Sequence, residues 1–314
     1  MLYYNKLLYY NIFMINRIQT YILALLFGFI SLISSANADV RVVASIKPIH
    51  SLVSYIMDGI GKPDVIVDGY NSPHNFSLKP SHAKMLQNAD LVIWIGEDLE
   101  NFLEKPLNTI AKKAKNIEIM DLKGIKKYEF REKNIFDEHD DHKGHNHGEY
   151  DPHVWLDPIN AKVIIKEITK QLIKLDSTNS QVYISNSNKA LAELDNLIQN
   201  IQKDLNKDLR FVVFHDAYQY FENRFGIQVI GALTINPDIK PGAEQLSEIR
   251  EVIEHEKVNC LLSEPQFNPA IIKSIAKDMK IKTGILDPLG AKLDKGKDLY
   301  FNLLKNMSTS FKGC

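Results

Sequence analysis

The chain of 314 residues carries 38 basic and 39 acidic side chains, a formal net charge of −1, 45% hydrophobic residues and two cysteines. A near-neutral surface argues against a nucleic-acid partner, because neutralising phosphates takes clustered Lys and Arg. The length allows two domains of ordinary size, each able to bury a core without many crosslinks.

The chain opens on a leader. Tyr21 to Ile33 is continuously apolar, Arg17 precedes it, and Ala36-Asn37-Ala38 supplies small residues for cleavage before Asp39. Residues 1–38 are expected to be a signal peptide, with Met14 as an alternative start to Met1. The apolar run, about 13 residues, is short of the roughly 20 that span a bilayer. With no Cys after the cleavage point, the mature chain is expected to be soluble, exported and unlipidated, and it is expected to act as a monomer. Its loss of Lys6 and Arg17 leaves a net charge of −3.

Short β-branched runs then alternate with helical patterns. Strands are predicted at Val40 to Ile46, Asp64 to Gly69, Ala89 to Ile95 and Asn116 to Met120, then at Arg210 to His215, Gly226 to Ile230, Val258 to Ser263 and Lys282 to Leu286. Helical stretches include Ser51 to Met57, Pro80 to Asn88, Asn160 to Leu175, Ala243 to Glu256 and Pro269 to Met279. This alternation predicts an α/β fold with two mainly parallel four-stranded sheets flanked by helices. The lobes are expected over 39–158 and 208–314, with linker helices over 159–207. Ser177 to Asn206 has no Gly or Pro, so one helix of roughly 45 Å is predicted. It is either a stiff spine along both lobes or an ordinary core helix of the second.

Between Tyr128 and Tyr150 the composition is polar and charged. Within its loop 137–149, His139, His142, His145 and His147 crowd together, and His153 follows shortly after. Half of the chain's ten histidines fall here. Neutral imidazole suits a borderline-soft divalent ion, so the stretch points to zinc. The loop either binds a second, weaker zinc or is a solvated segment with incidental affinity.

Further candidate ligands follow predicted strands: His50, His74, His215, Glu264 and Asp287. In open parallel sheets, ligand sites gather at the carboxyl ends of strands. His74 lies in the turn-rich Asn71-Ser72-Pro73-His74, which favours display over burial. His153, in Asp151-Pro152-His153, could instead hydrogen-bond its turn. His215 closes the apolar Phe211 to Phe214, with Asp216 beside it as an available acceptor, and could instead be a satisfied core histidine. His50 and Glu264 are read as orienting groups rather than ligands, while His82 and His255, in helical segments beside charges, are read as surface residues. Cys260 and Cys314 are expected to pair in an oxidising compartment. That bridge would close a loop of about 55 residues and contribute roughly 4 kcal/mol; the alternative is a buried Cys260 and a free tail thiol.

Several ordered motifs resemble one family. They are Asn71-Ser-Pro-His-Asn-Phe-Ser-Leu-Lys-Pro-Ser81, Leu86-Gln-Asn-Ala-Asp-Leu-Val-Ile-Trp-Ile-Gly96, Asp151-Pro-His-Val-Trp-Leu-Asp-Pro158, Phe214-His-Asp-Ala-Tyr-Gln-Tyr-Phe-Glu222, Asn236-Pro-Asp-Ile-Lys-Pro-Gly-Ala243, Ser263-Glu-Pro-Gln-Phe267 and Leu286-Asp-Pro-Leu-Gly290. Together they are similar to the zinc-binding solute-binding proteins of bacterial ABC importers, over essentially the whole mature chain. The resemblance implies two α/β lobes joined by a rigid helix, Zn²⁺ held in the cleft between them, and delivery to a membrane permease driven by a separate ATPase. It carries ligand roles onto His74, His153 and His215, with Asp287 as fourth ligand or near neighbour. Manganese members of the wider family usually have a carboxylate where His215 stands. Pro73 occupies the position where some zinc members have a glutamate, so the fourth position stays open between Asp287 and water. The alternatives are a manganese-binding homologue, a periplasmic metal buffer and, from another class, a zinc hydrolase. The hydrolase lacks support, since no His-Glu-x-x-His or Gly-x-Ser-x-Gly is present.

Overall fold

A computed structural model describes residues 40–131, 150–235, 237 and 241–313. The expected signal peptide, the choice between Met1 and Met14, and His139, His142, His145, His147 and Cys314 lie outside the described residues.

The first sheet is built from β1 (Val42–Ile46), β2 (Asp64–Val67), β3 (Leu91–Trp94) and β4 (Lys115–Glu118), all parallel, in the order β2-β1-β3-β4. The second repeats that pattern with β5 (Arg210–His215), β6 (Gln228–Thr234), β7 (Cys260–Ser263) and β8 (Lys282–Ile285), in the order β6-β5-β7-β8. All eight predicted strands are present. Strands β1, β3 and β5 are buried along nearly their whole length because helices cover both faces of a parallel sheet. In β5, Phe211 and Val213 face the main core while Val212 and Phe214 face a second cluster under the outer helices.

Helix α1 (Lys47–Ile56) starts directly off β1, with a proline in its first turn, earlier than the predicted Ser51. Helix α2 spans Pro80–Asn88 and α3 spans Glu97–Thr109. Helix α4 (Pro158–Leu175) opens where the Asp157 side chain accepts the Ile159 N–H at 2.8 Å. A 3-10 turn over Ser177–Asn179, capped by Asp176, precedes α5 (Ser180–Asp204), so the predicted single helix over 177–206 loses its first turn and its last two residues. Helix α6 spans Gln219–Phe225, α7 Ala243–His255, α8 Ala270–Met279 and α9 Leu299–Gly313.

At 1.5 Å per residue α5 runs roughly 37 Å, packed against α1 from the first half and α9 from the second. Asn186 on α5 donates to the carbonyls of Ile56 and Asp58 at 3.1 and 2.9 Å. The two halves are tied elsewhere too. Buried Lys47 donates to the carbonyls of Gly290, Ala291 and Leu293 at 2.8, 3.3 and 2.6 Å. Tyr300 donates to the Trp155 carbonyl at 2.6 Å, and the Trp155 indole to that of Pro288 at 2.9 Å. One apolar core runs through both halves on this side. Cys260 is fully buried and disulfide-bonded; Cys314, its expected partner, lies outside the described residues.

Glu100 interrupts α3 with non-helical backbone angles, φ −125 and ψ 46. Its side chain is fully buried, and one carboxylate oxygen accepts the Ile95 N–H at 2.7 Å. Burial pushes its carboxyl from 4.5 up to about 7, against hydrogen bonds that pull the other way. The folded chain therefore holds a proton that the unfolded chain has released between those two values. Its contribution to stability is full below the ordinary glutamate range and falls as pH rises through the window to about 7, by about 3 kcal/mol. Glu100→Gln is expected to flatten that part of the denaturant-midpoint profile, and equal slopes in both proteins would refute the assignment.

Candidate metal centre

Three stretches of chain bring one imidazole each to the same place. His74 follows β2 in a turn where Gly69, at φ +69, donates its N–H to Asp68 Oδ1 at 2.7 Å and the His74 N–H donates to Ser72 Oγ at 3.3 Å. His153 precedes the 3-10 turn Val154–Leu156. His215 ends β5. Their ligand nitrogens all lie within 4.8 Å of one another, the one such group of three among the described His, Cys, Asp and Glu residues.

Strand order explains His215. β5 and β7 are neighbours although β6 separates them in sequence, which is the topological switch point of the second sheet. Their carboxyl ends therefore place His215 beside Glu264, and His215 Nδ1 lies 2.6 Å from Glu264 Oε1. His153 is held by its own tripeptide: both its backbone N–H, at 2.9 Å, and its Nδ1, at 2.7 Å, reach Asp151 Oδ1. Where each carboxylate accepts, the Nδ1 atom carries the hydrogen and the Nε2 atom presents a lone pair. Those two Nε2 atoms face each other at 3.4 Å. Two lone pairs that close repel unless a proton or a metal ion sits between them. Nitrogens about 2.05 Å from one tetrahedral ion are about 3.3 Å apart, so the spacing suits zinc.

The walls are apolar. Pro73, Trp155, Phe267, Pro288 and Leu289 enclose the imidazoles, and Trp155 is fully buried. Burial drives His74 and His153 well below the usual histidine range, reinforced by the neighbouring imidazoles. Burial also pulls His215 down, yet the charge of Glu264 and its hydrogen bond outweigh it, and His215 is raised.

Behind the imidazoles lies a buried charge network. Arg131 bonds Asp216 at 3.0 Å and Glu222 at 2.6 Å. Burial raises both carboxyls, against the pull of the guanidinium. Asp151 is fully buried as well and is pushed up to about 7. Arg131 stands on the amino side of 132–149, and Glu129 pairs with Tyr150 in an antiparallel bridge across the same stretch.

The structure places the other expected residues differently. Asp287 is outside the group of three; its Oδ1 accepts the N–H of Leu289 and Gly290 at 3.1 and 3.0 Å and its Oδ2 that of Ala291 at 2.6 Å. Its lone pairs face a turn of backbone donors. His50 is not an orienting group, because its Nε2 lies 3.1 Å from the Pro63 carbonyl and its Nδ1 3.4 Å from Ser54 Oγ, away from the imidazoles. Asp216 does not accept from His215; Glu264 does, and Asp216 pairs with Arg131 instead. His82 is buried rather than superficial, since its Nδ1 accepts the Lys79 N–H at 3.1 Å and its ring packs on Phe76. His255 is exposed as read. Sequence reasoning did not single out Asp151 and Arg131 for these roles, although Asp151 stands two residues before a candidate ligand.

Residues 42–314 match the family described as zinc-uptake complex component A periplasmic, ZnuA. The high-affinity zinc uptake system protein ZnuA of Brucella abortus is 40% identical over 311 residues, covering 90% of this chain and 93% of that protein. Its Yersinia pestis counterpart is 36% identical over 293 residues, covering 88% and 92%. A crystal structure of ZnuA superposes with a TM-score of 0.74 at 26% identity, covering 87% of this chain and 98% of that one. The Mn-bound periplasmic metal-binding protein of Candidatus Liberibacter asiaticus, at 23% identity and a TM-score of 0.71, covering 86% and 97%, shares the fold. The chain belongs to the ZnuA family of periplasmic zinc-uptake components.

Proposed function

We propose that this protein captures Zn²⁺ in the periplasm at His74, His153 and His215 and hands it to the permease of an ABC importer served by a separate ATPase. The facing Nε2 lone pairs of His153 and His215, each fixed by a carboxylate on the opposite ring nitrogen, carry this reading. Asp151 and Glu264 hold the two imidazoles in one tautomer and orientation, as carboxylates do behind histidine ligands of a metal. Three nitrogen donors also favour zinc over manganese, which prefers oxygen. Metal analysis of the protein from its native compartment, with zinc and manganese in competition, tests ion and site together; manganese occupancy with zinc excluded would overturn the reading.

A proton competes with the ion for each imidazole, so affinity weakens as pH falls. Raised His215 begins to take a proton above the usual histidine range, while lowered His74 and His153 do so only well below it. The expected profile loses affinity with a slope of about one proton in mild acid, steepening further down. Zinc titrations across a pH series check this, and a flat profile contradicts it.

Asp151→Asn and Glu264→Gln keep the shape of each pair but remove the anion that fixes the tautomer. Each is expected to lower zinc affinity by roughly 10–100-fold, measured by chelator competition. Affinities within twofold of the original would show that the carboxylates do not orient the imidazoles. The clustered imidazoles of His139, His142, His145 and His147 would hold a second, weaker zinc. Calorimetry on a deletion of Glu138 to Gly148 is expected to lose one weak binding event.

A further inference from the structure

The pocket of the three imidazoles has a polar edge at Gln266 that no described residue satisfies. Gln266 lines it beside His74, His153 and His215. Its Nε2 donates to Asp287 Oδ1 at 2.9 Å, and its Oε1 is enclosed with no hydrogen-bond partner among the described residues. The amide cannot be the other way round, because a carboxylate offers no hydrogen to an amide oxygen. Asp287 is itself fixed by the N–H groups of Leu289, Gly290 and Ala291. So the backbone turn sets Asp287, Asp287 sets the Gln266 amide, and the oxygen is the edge left for the pocket. A buried acceptor without a donor is unfavourable, which points to something that arrives with the ligand.

We propose that Gln266 Oε1 accepts a hydrogen bond from a water that fills the fourth coordination position of the ion, and that Asp287 acts through Gln266 as a positioning residue. This rests on the zinc reading above. Imidazole, thiolate, carboxylate and water are the usual zinc ligands, whereas amide carbonyls serve harder cations, so a water between Gln266 and the ion suits this site better than direct ligation. Glu264 Oε2 is also enclosed and unpaired, but that carboxylate is already committed through Oε1 to His215. Holding the fourth position with a neutral group also gives selectivity, since it withholds the carboxylate that a harder ion such as manganese favours.

Zinc affinity by chelator competition, and the visible spectrum of the Co²⁺ form from about pH 5 to about pH 9, test this on the full chain. Gln266→Met keeps length without an acceptor. It is expected to lower zinc affinity about tenfold. It should also move the Co²⁺ titration midpoint down, because an acceptor opposes hydroxide more than water. Asp287→Asn is expected to move the midpoint the same way, and the double variant to add nothing beyond Gln266→Met. Gln266→Glu should shift the manganese-to-zinc preference toward manganese by about tenfold, which reads the same edge should the Met variant fold poorly. Unchanged affinity and midpoint in Gln266→Met, additive single effects, or an unchanged ion preference in Gln266→Glu would overturn the proposal. If the original chain binds neither Zn²⁺ nor Co²⁺, or His153→Ala binds both equally well, the zinc reading itself fails. If the original binds and Gln266→Met is indistinguishable from it, only this inference fails.

Discussion

Replacing any one of His74, His153 and His215 with alanine is expected to lower zinc affinity by at least about a hundredfold. Structural zinc sites are worth about 10–16 kcal/mol in all, so one ligand in four accounts for about 2.5–4 kcal/mol. The three variants should differ in stability although they agree in affinity. His153→Ala and His215→Ala leave buried Asp151 and Glu264 without their imidazole partners, which costs about 1–3 kcal/mol each in the metal-free protein. His74 holds no carboxylate, and its turn is fixed by backbone bonds to Ser72 and Asp68. His74→Ala should therefore lose the metal and keep its denaturant midpoint. Competition titrations paired with unfolding curves read both quantities; three affinities within threefold of the original would remove the histidines as ligands.

The strands were legible because parallel sheets demand unbroken β-branched runs, and Arg210–His215 matches its prediction to the residue. Helix α3 was harder to read, since buried Glu100 kinks it and Pro106 sits inside it. Helix α6 has only seven residues, too few for a period to show. The three imidazoles were readable because each sits next to turn chemistry or a strand end. Their partners depended on topology. Glu264 reaches His215 only because β7 pairs with β5, a neighbourhood that sequence order hides. Arg131 approaches Asp216 from 85 residues away. Asp287, expected as fourth ligand or near neighbour, was ambiguous because Asp-Pro-Leu-Gly reads equally as a displayed carboxylate and as a turn whose N–H groups the carboxylate caps. The structure has the second arrangement.

Arg131→Ala is expected to destabilise the metal-free protein by about 3–5 kcal/mol, the usual cost of removing one partner from a buried ion pair. The guanidinium is the cation on which both Asp216 and Glu222 depend, and both carboxylates are buried. The pH dependence separates this from lost packing. Burial already raises both carboxyls and Arg131 holds them down, so without it they rise further. Below the ordinary carboxylate range both groups are protonated in folded and unfolded chains alike, and the penalty is small. As pH rises, the unfolded chain releases its protons first, the folded variant retains them longer, and its stability falls relative to the original. The difference between the two proteins should therefore widen from mild acid to neutrality. Arg131→Met, which keeps the aliphatic stem, should lose nearly as much at neutral pH and recover more than Arg131→Ala in acid. A loss independent of pH in both variants would mean that Arg131 contributes packing alone.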